Sequence, residues 1–240
     1  WPEFKANFGN IAWILNDNGD FEKAESIYRK ALSNAEDSNN KNFFIVSNLS
    51  ACIGVILQNK RDVDGAMKFF LKSLNACEEA LGINHPETLY CVSNLADILE
   101  EKRDYDQAEE CHKRALQGFE NAYGETSQAR LIQANQLGNL YKEIGKYQEA
   151  TLIYKNCIDI AEKTLGPEMP STLGFVHNLG DLYKKNGNFI ESKNLLTRAF
   201  KGREKILGLA NDETLMSLES LACLLKDKGD FDEAIKSFST

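Results

Sequence analysis

The chain has no excess of basic residues. Its 240 residues carry 28 Lys and Arg against 36 Asp and Glu, a formal net charge of −8. Binding nucleic acid through its phosphates needs a basic stripe, so that class is set aside, and an anionic membrane surface with it. No apolar run approaches the roughly 20 residues of a membrane span, and no basic-then-apolar leader opens the chain. Catalytic signatures are missing as well: there is no phosphate-cradling glycine loop, no HExxH and no GxSxG. Histidine is limited to His85, His112 and His177. Nothing in their spacing brings the three together, which predicts no metal, no cofactor and no catalytic residue. The six cysteines contain no CxxC and fall on different phases of the pattern described below. They read as reduced thiols of a cytoplasmic protein, and Cys157 as a small packing residue.

What the chain has is a repeat. Sliding the sequence by 42 residues superposes Ala24, Ala66, Ala108, Ala150, Ser192 and Ala234. Three residues upstream the same slide aligns Phe21, Val63, Tyr105, Tyr147, Phe189 and Phe231. Five upstream it aligns Gly19, Arg61, Arg103, Gly145, Gly187 and Gly229. A fixed period without slippage is the mark of a stacked array, in which each unit buries its apolar face on the next. Each unit splits into two amphipathic stretches. In the third unit Val92, Leu95, Ala96 and Leu99 share one helical face, and Tyr105, Ala108, Cys111, His112, Ala115, Leu116 and Phe119 share another. The turn between them is short, which makes the two helices antiparallel.

Small residues recur a second time, at Ala12, Gly54, Ala96, Gly138, Gly180 and Ala222. They are expected where the first helix of a unit crosses its neighbours and backbones must approach. The second helix closes on Gly82, Gly124, Gly166 and Gly208, with Asn40 in the same phase, as left-handed caps require. Beyond the cap, His85-Pro86-Glu87-Thr88 opens the next helix with Pro and an acid in its first turn.

The small-residue series, the aromatic before the second helix and the helix pairs resemble tetratricopeptide repeats. The 42-residue length, the NLA/NLG core and the LGxxHPxT connector (Leu81, Gly82, His85, Pro86, Thr88) are similar to the kinesin light chain type. The resemblance covers residues 5–240 and implies an all-α, right-handed superhelical solenoid of antiparallel helix pairs. Five full repeats are expected, at approximately 5–46, 47–88, 89–130, 131–172 and 173–214, with a truncated sixth at 215–240. The chain reads as a single array and as a fragment of a longer protein.

Such arrays bind peptides on the concave wall of the first helices, and the resemblance carries that stripe over by phase. It comprises Asn10 and Trp13, then Asn94, Asp97 and Glu101, then Asn135, Gln136, Asn139 and Lys142, then His177, Asn178, Asp181, Lys184 and Lys185. Amides at Asn10, Asn94, Gln136 and Asn178 share one phase, interrupted by Cys52. A carboxamide both donates and accepts, so a ladder of them holds a peptide main chain whatever its sequence. The alternative is that these amides meet only water or the neighbouring helix. Kinesin light chains resemble the array and take tryptophan-acidic peptides in a basic groove. Asp97, Glu100 and Glu101 depart from that basic character, while Lys142, Lys184 and Lys185 keep it.

The expectation is therefore a non-catalytic interaction scaffold whose partner is a protein or peptide segment. The alternative is a ligand-sensing module that controls an attached effector domain. Leu221, Leu224, Leu225, Phe231 and Phe238 have no following repeat to cover them, which points to self-association or continuation of the chain at that end.

Overall fold

The computed structural model describes residue 16, residues 18–37 and residues 42–228. Asn10, Trp13, Phe231 and Phe238 lie outside the described residues, whereas Leu221, Leu224 and Leu225, expected to be left open at the C-terminal end, are buried in one cluster with Leu196. The described residues form ten α-helices and no strand. In chain order these are α1 (Phe21–Asp37), α2 (Phe43–Asn59), α3 (Val63–Leu81), α4 (Pro86–Glu101) and α5 (Tyr105–Tyr123). They continue with α6 (Gln128–Glu143), α7 (Tyr147–Thr164), α8 (Pro170–Lys185), α9 (Phe189–Leu207) and α10 (Asp212–Lys228). The chain divides into two compact units, Trp1–Ala122 and Tyr123–Thr240. A repeat array has no single centre, so such a division is compatible with one repeating pattern.

Within each unit the helices pack on their sequence neighbours, α1 on α2, α2 on α3 and α3 on α4 in the first, and α6 through α10 in succession in the second. The periodic small residues explain how closely. A methyl group added to Gly54 would stand 2.7 Å from the Phe70 ring, one on Gly138 2.8 Å from the Tyr154 ring, and one on Gly180 2.9 Å from Leu196. The notch on each first helix therefore receives one large side chain of the second helix of the same repeat. Phe70, Tyr154 and Leu196 are all buried. In the third repeat His112 holds the place of the large side chain, and the notch position is Ala96 instead of Gly. Both are fully buried.

The turns follow the same phase. Gly19, Gly145 and Gly187 have φ of 79°, 81° and 76°, and at the equivalent positions Arg61 and Arg103 adopt 64° and 61°. The phase demands a left-handed residue there, and the two arginines accept a strain that glycine would not have. Connectors also repeat. Thr88 Oγ1 donates to the Gly82 carbonyl at 2.7 Å and Thr172 Oγ1 to the Gly166 carbonyl at 2.8 Å. Each bond satisfies a carbonyl left over at a helix end. His85 caps α4, its Nδ1 accepting from the Glu87 N–H at 3.2 Å. All six cysteines are free, and Cys157 is fully buried, in keeping with a packing role.

Successive second helices are tied by a surface clamp at constant phase. Lys72 reaches Glu36 at 2.8 Å, and Arg114 Nη2 bonds Glu78 at 2.7 Å and the Ile83 carbonyl at 3.0 Å. In the second unit Arg198 Nη2 bonds Glu162 at 2.6 Å and the Pro167 carbonyl at 3.1 Å. These groups are part-exposed, so each ion pair contributes no more than about 1 kcal/mol and orients more than it stabilises. The notch dominates. Gly138→Ala should lower the unfolding free energy by about 1–3 kcal/mol through overpacking against Tyr154. That loss outweighs alanine's helix-propensity gain of up to about 1 kcal/mol. Urea denaturation of the two proteins measures it, and an unchanged or more stable variant would remove the notch from the account.

Candidate functional site

The polar stripe anticipated from the sequence lies on α2, α4, α6, α8 and α10, the first helices of the repeats. Burial on these helices falls on the positions that meet the second helices. On α4, Leu95, Ala96, Ile98 and Leu99 are buried, while Asn94, Asp97 and Glu100 are half-exposed and Glu101 is exposed. On α6, Asn135, Gln136, Asn139 and Lys142 are half-exposed between buried Ala134, Leu137, Gly138, Leu140 and Tyr141. On α8, Asn178, Asp181 and Lys184 are half-exposed and Lys185 is exposed. His177 differs. It is 5% exposed, with Nδ1 3.4 Å from Ser217 Oγ and Nε2 3.4 Å from Asp181, so it supports the stripe from beneath and presents little surface itself.

Several of these side chains link one first helix to the next. Asn178 Nδ2 donates to Asn135 Oδ1 at 2.8 Å, Lys185 Nζ reaches Glu143 at 3.3 Å, and Gln58 Nε2 donates to Glu101. Asn139 accepts a 2.6 Å bond from the Tyr154 hydroxyl, which ties the stripe to the side chain in the notch. Part of the amide set thus holds neighbouring helices together. A carboxamide has two donor hydrogens and two acceptor lone pairs, so one such bond does not exhaust it.

In the second unit the stripe borders a cavity of about 500 Å³. Its lining includes the amides Asn135, Gln136 and Asn178 and the apolar side chains Ile132, Phe175 and Met216. Arg203 of α9 also lines it. That side chain is 6% exposed, donates to Ser217 Oγ at 2.7 Å and to the Glu213 carbonyl at 3.1 Å, and has Nε without a protein partner. Sequence reasoning passed over Arg203. The signal was there, since its phase holds Ala35, Cys77, Phe119 and Ala161 in the other repeats, and a charge in an apolar series marks a departure from plain packing.

A second grouping was also not foreseen. His112 lies beside two carboxylates, with Nε2 2.6 Å from Glu100 Oε1, and donor atoms of Asp97, Glu100 and His112 all lie within 4.8 Å of one another. Burial pushes the Asp97 carboxyl up to about 6, with Glu100 and Glu101 adding to the rise and His112 opposing it. Spacing of the three histidines along the sequence gave no sign of this grouping. The three histidines do stay apart from one another, but α5 brings His112 against α4.

Burial lowers the His177 pKa, and Arg203, Lys142 and Lys184 push the same way against the opposing effect of Asp181. Lys142 is likewise lowered by burial. For His177 the unfolded ring, with an ordinary value near ~6.5, takes up a proton before the folded ring does. Its contribution to stability is therefore complete above about pH 6.5 and is lost as the pH falls below it. His177→Asn, which places there the residue of the preceding repeat, should narrow the stability difference between about pH 7.5 and pH 5. Chemical denaturation at the two pH values tests this, and an unaltered difference would contradict it.

Comparison with known proteins agrees with the geometry. Tetratricopeptide repeat models match residues 7–38, 51–87, 89–163 and 169–239. No curated protein sequence matches significantly. Among solved structures, BtubC (BKLC) from P. vanneervenii is similar over 85% of this chain and 82% of its own, with TM-score 0.76 and 24% identity. A putative kinesin light chain of nearly identical TPR-like repeats from Podosopora anserina is similar over 85% of this chain and 97% of its own. Its TM-score is 0.74 and its identity 20%. NprR, solved in complex with its cognate peptide NprX, is similar over 95% of this chain and 63% of its own, with TM-score 0.66 and 16% identity. The helix pairs, the notch that spaces them and the family models covering most of the residues lead to one assignment: the chain belongs to the tetratricopeptide repeat family.

Proposed function

We propose that this chain is a protein-interaction scaffold that holds a peptide segment of a partner along the stripe of its first helices and performs no chemistry of its own. One observation carries the reading. On the second unit the half-exposed amides Asn135, Gln136 and Asn178 line a cavity together with apolar side chains, Ile132, Phe175 and Met216 among them. An extended peptide needs both, since its main chain requires donors and acceptors while alternate side chains seek apolar ground. The solved peptide complex of NprR, a protein of similar fold, supports the class of ligand and says nothing of its sequence.

The stripe is graded in charge, and this would select among partners. Asp97, Glu100 and Glu101 make α4 acidic, whereas Lys142, Lys184 and Lys185 belong to α6 and α8. A segment held on the first unit would therefore meet an acidic field and one held on the second unit a more basic one, which selects partners more than it adds affinity. Asn94, Asp97, Glu101, Asn135, Gln136, Asn139, Lys142, Asn178, Asp181, Lys184 and Lys185 are the contact residues of this proposal, with His177 beneath them and Asn10 and Trp13 extending the stripe in sequence. Among the described residues no helix is long and apolar enough to cross a membrane.

A peptide array probed with the wild-type chain and with the Gln136→Ala, Asn178→Ala double variant tests the site. Peptides selected by the wild type should lose at least about tenfold in affinity with the variant, the equivalent of ~1.4 kcal/mol. Equal binding by both proteins would remove the amides from the binding surface.

A further inference from the structure

We propose that Asp97, Glu100 and His112 form a binding site for one divalent transition-metal ion of the zinc type, set in the wall of the first unit. Asp97 and Glu100 stand three residues apart on α4 and so share a face. His112 comes from α5 of the same repeat and meets them through Nε2. All three donor atoms lie within 4.8 Å of one another, and the imidazole is fully buried while the carboxylates are only half-buried. Donors about 2.0–2.2 Å from a tetrahedral zinc are roughly 3.3–3.6 Å apart, so side-chain rotations that open the 2.6 Å His112–Glu100 contact and draw in the wider spacings would enclose an ion. The ion has a route in past the two carboxylates.

Comparison among the repeats isolates what is special here. The position of His112 holds Tyr28, Phe70, Tyr154 and Leu196 elsewhere, and that of Asp97 holds Val55, Asn139 and Asp181. In the fourth repeat the corresponding pair is neutral, with the Tyr154 hydroxyl donating to Asn139. Only the third repeat combines imidazole with two carboxylates at these positions. One nitrogen and two carboxylate oxygens suit zinc, cobalt or manganese, and the imidazole disfavours magnesium and calcium, which prefer oxygen alone. The ion would replace the proton between Nε2 and Oε1, leaving the ring one proton on Nδ1, and any proton displaced goes to solvent. Three protein donors leave a fourth position for water or for a carboxylate or imidazole of a partner.

The test uses the whole 240-residue chain, freed of metal and titrated with Co²⁺ and then Zn²⁺ in excess Mg²⁺, with heat and visible d–d absorption as readouts. One ion per chain is expected. Binding should weaken at least about tenfold in each of Asp97→Asn, Glu100→Gln and His112→Phe. These substitutions install residues of sister repeats (Asn139, Gln58 and Phe70), and circular dichroism confirms that each variant folds. No binding, binding that survives all three substitutions, or full competition by Mg²⁺ would each overturn the site. Because no peptide takes part, this outcome is independent of the peptide-array result.

Discussion

The architecture depends on one contact made again and again: a notch on the first helix of a repeat that takes a single large side chain from the second. Gly54 takes Phe70, Gly138 takes Tyr154 and Gly180 takes Leu196, each leaving no room for a further carbon atom. Dense interiors transmit such constraints because neither partner can yield without losing contacts elsewhere. With the pair spacing fixed, the helical phase decides the rest. Residues near the notch on the same turns face inward, and those opposite form the polar stripe. The Tyr154 hydroxyl bond to Asn139 joins the two faces directly, since the side chain that fills the notch also fixes a member of the stripe.

Electrostatics is layered on this frame and has little part in building it. The phase-locked clamps at Lys72–Glu36, Arg114–Glu78 and Arg198–Glu162 lie on part-exposed surface and orient successive second helices. Among the described residues, the buried basic side chains are Arg203, His177 and His112. Buried ionisable groups are costly where they serve packing alone. Arg203 and His177 lie beside the stripe, and His112, at the notch of the third repeat, meets the stripe helix through Glu100, which marks that surface as the functional one in this account.

Most of the fold was legible in the residues. The small-residue and turn series each gave the period and put Arg61 and Arg103 at turns, though not that both would take the positive φ of the glycines in the same phase. The site was legible only in part. Phase assigns a side chain to a face of its own helix, and so found Asn135, Gln136 and Asn178. It does not say which side chains of two helices meet, and so gave no sign that α4 places two carboxylates beside His112. Arg203 was missed for a related reason: its neighbours Ser217 and Glu213 come from another helix, α10. His177 was assigned to the stripe by phase, yet its ring turns below the surface toward Ser217.

The central claim is that the notch-built frame leaves the first-helix stripe as the surface that meets a partner. Side-chain amide NMR of the chain, titrated with a peptide selected on the array, addresses it most directly. The account predicts that the largest shifts fall on Asn135, Gln136 and Asn178, while amides of the second helices, such as Gln117 and Asn156, stay in place. Shifts concentrated on the second helices, with the three stripe amides unmoved, would contradict it.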